Sequence, residues 1–102
     1  MAMAKEVKVT VQYWGNIARI VPQREESLLL PAETTFRTVL NNLADRYEGV
    51  REMLFTIHGS LLLHVRVNFN DQSVKDSVKG LDTPIEEDGL LEIFVVSPMC
   101  GG

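Results

Sequence analysis

Residues 34–49 read Thr34-Thr35-Phe36-Arg37-Thr38-Val39-Leu40-Asn41-Asn42-Leu43-Ala44-Asp45-Arg46-Tyr47-Glu48-Gly49, and their apolar members recur at helical spacing: Phe36, Val39, Leu40, Leu43, Ala44 and Tyr47. Positions three and four apart share one side of a helix, so the segment predicts one amphipathic helix. A hydroxyl at Thr34 or Thr35 can accept an orphan backbone N–H and start it; Gly49 marks its end. On either side the period changes. Upstream, Val7, Val9, Val11 and Tyr13 alternate with Lys8, Thr10 and Gln12, the pattern of a strand with one buried face. Ser27 to Leu30 forms a second short β-like run stopped by Pro31, which cannot donate to a ladder, and a hairpin is the economical pairing.

Downstream, Val50 to Gly59 has no clean period and reads as a loop or a short turn of helix. Leu61, Leu63, Val65, Val67 and Phe69 restore the period of two and predict a third strand. Asn70-Asp71 is a turn signal, a brief pairing through Val74 can follow it, and Gly80 and Pro84 interrupt the chain again. A last strand carries Leu91, Ile93 and Val95 on one face and stops at Pro98. The order β-β-α-β-(β)-β gives an α+β fold, a sheet of four or five strands with one helix across one face.

With 102 residues and no repeat or linker, the chain is expected to form a single domain, with a flexible tail from about residue 98. Leu, Ile, Val and Phe supply 33 residues, enough for a core rather than a disordered chain. No apolar run approaches membrane-spanning length, and one cysteine cannot form an internal disulfide, so a reducing cytoplasm is the expected setting. The formal net charge of -4 is uneven: residues 71–102 carry two Lys or Arg against seven Asp or Glu. That argues against nucleic acid, which needs clustered cations, and predicts that a protein docking on this end presents a basic surface.

The familiar catalytic sets are absent. His58, His64 and Cys100 have no zinc-site spacing, so no metal is expected. Glu86, Glu87 and Asp88 read as a solvated turn, and Trp14 as partly buried packing. What remains is Ser97-Pro98-Met99-Cys100-Gly101-Gly102, directly beyond a strand. Two residues without side chains can enter a slot too narrow for any Cβ. The carboxylate on Gly102 is ionised at neutral pH and can attack an activated phosphate. Strand parity turns Phe94 and Val96 away from the core, where large apolar side chains mark a contact surface. Cys100 is expected to be accessible.

Strand, hairpin, helix, the Val67-Asn68 step, the turn Gly80-Leu81-Asp82-Thr83-Pro84-Ile85-Glu86-Glu87-Asp88-Gly89 and the terminal Gly101-Gly102 together resemble the MoaD/ThiS branch of the ubiquitin-like β-grasp family. Where the family commonly continues Asp-Gly-Asp, this chain has Asp88-Gly89-Leu90, a departure that bears on subfamily and not on fold. The resemblance implies a sulfur carrier and not an enzyme. A ubiquitin-activating-type enzyme, using its own ATP and magnesium, adenylates Gly102 with Gly101 in the slot, and persulfide-derived sulfur displaces AMP to leave a thiocarboxylate. Phe94, Val96, Pro98, Met99 and Cys100 are the residues placed to meet such partners. Delivery of sulfur to a molybdopterin precursor, with the synthase large subunit as a partner, is the commonest use in the MoaD branch. The alternatives are transfer of the activated glycine to lysines as a protein modifier, or sulfur delivery to tRNA.

Overall fold

The computed structural model describes residues 6–96. The first alternating run forms β1 (Glu6–Gly15), with Val7, Val9, Val11 and Tyr13 buried. Its partner β2 (Glu25–Pro31) runs antiparallel and starts two residues before the expected Ser27. Pro31 belongs to the strand, because β2 is an edge of the sheet and a missing N–H costs no ladder bond there. The connection is no tight turn: a 3₁₀ turn at Asn16–Arg19 buries Ile17.

Helix α1 (Phe36–Arg46) is capped by Thr35, whose hydroxyl oxygen accepts the Thr38 N–H at 3.2 Å. It buries Phe36, Val39, Leu40, Leu43 and Ala44, the stripe that its sequence predicts. The helix stops before Gly49, because Tyr47 takes extended backbone. Gly49, at φ 91°, precedes a second short helix, α2 (Val50–Leu54), whose Val50 and Leu54 complete the core.

The third strand is shorter than its periodicity. Leu61 makes an isolated bridge to Phe55, and the Val65 N–H donates to the Leu62 carbonyl at 3.1 Å, so the chain turns before β3 (Val65–Phe69). Leu63 is 94% exposed, and the alternation from residue 61 spans a turn and a strand. Asn70 and Asp71 both take positive φ, as a two-residue hairpin turn requires, and lead into β4 (Gln72–Ser73). A 3₁₀ turn at Gly80–Asp82 precedes the last strand, β5 (Gly89–Val95). Arg37 of α1 donates to Asp82 at 2.7 Å, which holds the Asp82 carboxyl below its usual range.

The sheet order is β2-β1-β5-β3-β4, with β1 and β5 parallel and every other pair antiparallel. This mixed five-stranded sheet with one main helix across a face is the ubiquitin-like β-grasp arrangement. No helix among the described residues is long and apolar enough to cross a membrane.

One carboxylate sits inside. Glu26 of β2 has a side chain only 7% exposed; Tyr13 donates to its Oε2 at 2.5 Å and Tyr47 at 2.8 Å, while Arg46 lies 3.2 Å from Oε1. Three partners offset the desolvation that an unpaired charge would suffer. Burial first, and then the hydrogen bond to Glu26, push both phenols above their ordinary range. A phenol whose pKa is raised by folding stabilises the native state fully below its unfolded pKa of about 10, and that contribution is lost as pH rises beyond it. Urea unfolding should therefore show a midpoint that falls as pH is raised beyond about 10. Tyr13→Phe removes one donor from a buried carboxylate and should cost about 1–3 kcal/mol at neutral pH. It should also shrink the alkaline fall in midpoint.

Candidate functional site

Strand β5 lies in the middle of the sheet and carries the chain to Val96. Its inward side chains Leu91, Ile93 and Val95 are at most 1% exposed, so Glu92 and Phe94 point to the face away from α1. Register then decides their neighbours: Trp14 of β1 is opposite Phe94 on one side and Arg66 of β3 on the other. The Trp14 and Phe94 rings stack with centroids 5.9 Å apart and planes 11° from parallel. Trp14 remains 44% exposed and Val96 54%, giving an open apolar platform beside the point where the tail leaves.

Phe94 and Val96 thus lie where strand parity puts them. Trp14 packs on Phe94 and stays half open, in line with its expected partly buried packing. The parity that buries Tyr13 carries the signal for it, since the next residue must face outward. Pro98, Met99, Cys100, Gly101 and Gly102 lie outside the described residues.

Gly15, the last residue of β1, is marked by no motif in the sequence, yet it shapes the end of β5. It has φ 78° and ψ -142°, a region open almost only to glycine, and it pairs with Val95. A Cβ there would lie 2.1 Å from the Val95 carbonyl oxygen. The absence of a side chain lets the end of β1 close on the end of β5, which fixes where the tail begins.

The remaining candidates do not assemble into a catalytic centre. His58 sits exposed in the loop between α2 and β3, and no group of three or more His, Cys, Asp or Glu among the described residues could hold a metal ion. Within the acidic turn, Asp88 accepts the Lys8 N–H at 2.8 Å and Asn70 donates to Glu87 at 3.4 Å. These carboxylates pin the turn to neighbouring strands and are not paired for acid–base work.

Residues 11–102 match the ThiS family. The chain belongs to it. No match emerged among curated proteins. Among solved structures, the ThiS-family chain is similar to small archaeal modifier protein 1 of Methanosarcina acetivorans, at TM-score 0.76 and 18% identity, covering 94% of this chain and 99% of that one. It is similar to CysO of Mycobacterium tuberculosis, at TM-score 0.68 and 27% identity over 87% of this chain and 99% of that one. A third is a protein described as molybdopterin converting factor subunit 1 from Pyrococcus furiosus, at TM-score 0.69 and 20% identity over 89% and 99%. The low identities beside high coverage mean that the β-grasp frame is shared while most side chains differ.

In this ThiS-family chain, Gly15→Ala should destabilise by about 2 kcal/mol or more, from the positive φ and the collision with Val95 together. Urea unfolding checks the magnitude. Amide spectra should show the largest displacements at Val95 and Val96, with α1 little changed.

Proposed function

We propose that this chain is a sulfur carrier whose Gly102 carboxylate is adenylated and then converted to a thiocarboxylate, for assembly of molybdopterin. The observation that carries the proposal is the family match through residue 102, which takes in Gly101-Gly102. The exposed Trp14–Phe94–Val96 platform beside the tail supports it, since a partner that accepts the tail must also grip the domain near that point.

The chemistry belongs to the partners. A Gly102 carboxylate oxygen attacks the α-phosphorus of ATP and pyrophosphate leaves, giving an acyl adenylate. The ubiquitin-activating-type enzyme supplies the nucleotide site, the magnesium and the stabilisation of phosphate charge. The terminal sulfur of a donor enzyme's persulfide attacks the acyl carbon and AMP leaves. A thiol then cleaves the S–S bond, so that a thiocarboxylate and a disulfide result. This chain contributes the carboxylate, a tail without side chains at its last two positions, and the docking platform. The sulfur is then delivered to a molybdopterin precursor, with the synthase large subunit as the proposed partner, a reading supported by the likeness to the converting-factor subunit.

A second reading is favoured by the likeness to the archaeal modifier protein, which has the higher TM-score of the two. There the same adenylate passes, through the activating enzyme, to a lysine amine as an isopeptide. Intact-mass measurement on protein from its native host separates the readings: sulfur in place of a terminal oxygen supports the carrier, and a lysine adduct supports the modifier.

Deleting Gly102 moves the carboxylate by one residue, about 3.3–3.6 Å in extended chain, far beyond the roughly 1 Å that in-line attack tolerates. ATP–pyrophosphate exchange with the cognate activating enzyme should fall to background, with unfolding midpoints unchanged. A folded Phe94→Ser, Val96→Ser double variant should bind that enzyme at least about tenfold more weakly. Normal exchange by the deletion variant would show that the tail is not the substrate.

A further inference from the structure

The far end of β5 from Val96 opens on a cleft of about 500 Å³ between the start of α1, the β3–β4 hairpin and residues 83–87. We propose that this cleft is a second docking site, for a partner polypeptide that presents a large aliphatic side chain next to a Lys or Arg. Its base is apolar: Ile85 and Phe36 are buried, Phe69 and Pro84 are half open, and the Phe36 and Phe69 rings meet edge to face at 5.2 Å. Its rim is acidic. Glu86 and Glu87 line it, and no lining residue is a Lys, Arg or His.

The only charge on the cleft's lining is anionic, beside the neutral Gln72 amide and Ser73 hydroxyl. The Ser77 and Thr83 hydroxyls lie 3.1 Å apart and bond to each other, and Ser77 also donates to the Val74 carbonyl at 2.7 Å. Among the described residues neither Glu86 nor Glu87 is in an ion pair, and the only hydrogen bond to either is the 3.4 Å donation from Asn70 to Glu87. An anionic rim over an apolar base complements an apolar side chain beside a cation, as an acidic segment or a neutral one does not. The walls are preformed, which lowers the ordering cost of binding: the Ile85 N–H donates to the Thr34 carbonyl at 2.8 Å, and the Phe36 N–H to that of Thr83 at 3.3 Å.

The seven residues of β5 separate this cleft from Val96 by about 20 Å. A partner held here leaves the Trp14–Phe94 platform open, so the chain can be retained by one protein while its tail enters another. This site does not depend on what is done to Gly102.

The test is amide chemical-shift titration of the full ¹⁵N-labelled chain with two synthetic blocked peptides, Ala-Leu-Lys-Arg-Ala and Ala-Leu-Glu-Glu-Ala. The basic peptide should produce saturable shifts centred on Phe69, Ser77 and residues 85–87, weakening as salt is raised. Glu86→Gln combined with Glu87→Gln should weaken binding by about tenfold, with Asp88 kept because it holds Lys8. Deleting Gly102 should leave the titration unchanged. Equal binding of the acidic peptide, shifts centred on Trp14 and Phe94, loss of binding on deleting Gly102, or no saturable shift at millimolar peptide would each overturn the proposal.

Discussion

The parallel pairing of β1 with β5 is the contact on which the rest of the structure depends. It joins the first strand to the last in the centre of the sheet, so β2 and β3 can only add at its flanks. Val9, Val11, Leu91 and Ile93, all fully buried, form the floor on which α1 lies. The pairing is fastened at both ends by chemistry that the strands themselves lack. At one end Asp88 accepts the Lys8 N–H, and at the other Gly15 admits the Val95 carbonyl to a distance that no other residue allows. Its partners lie about eighty residues apart in the chain, so it closes the longest loop of any strand pair in the sheet, at an entropy cost that grows only slowly with loop length.

Two different ends result from this one pair. Where β5 finishes, its outward side chains and those of β1 make an aromatic platform beside the tail. Where it starts, the acidic turn at residues 86–88 borders an apolar cleft. The uneven charge of the sequence is therefore placed in space: the carboxylates of that turn cluster at the end of β5 opposite Val96. The buried Glu26 follows another logic, since two phenols and Arg46 satisfy it and its side chain is nearly inaccessible to a partner.

Sequence pattern was most legible where one residue's environment is set by its own element. The stripe from Phe36 to Ala44 and the Thr35 cap appear in the helix as the spacing and the hydroxyl require. Phe94 and Val96 face outward as parity demands. Legibility failed where a distant partner decides. Leu61 and Leu63 continue the alternation of β3, yet the bridge of Leu61 to Phe55 turns the chain and leaves Leu63 in water. Gly49 looks like the end of α1 and instead opens α2. For Trp14 the expected partial burial holds, but only the register shows that its packing partner is Phe94.

Periodicity, caps and turn residues by themselves determined the main elements, their order, the inward faces of β1 and β5 and the pairing of one helix with a sheet, because each depends on neighbours within a few positions. The resemblance carried by the Gly80–Gly89 turn and the terminal glycines determined the family. Only the tertiary structure decided the strand order, the use of Gly15 as the seat for Val95, the stacking of Trp14 on Phe94 and the cleft above Phe36 and Phe69. Each of these needs residues from segments far apart in sequence to share one place, and no local pattern records which distant strand will supply the neighbour.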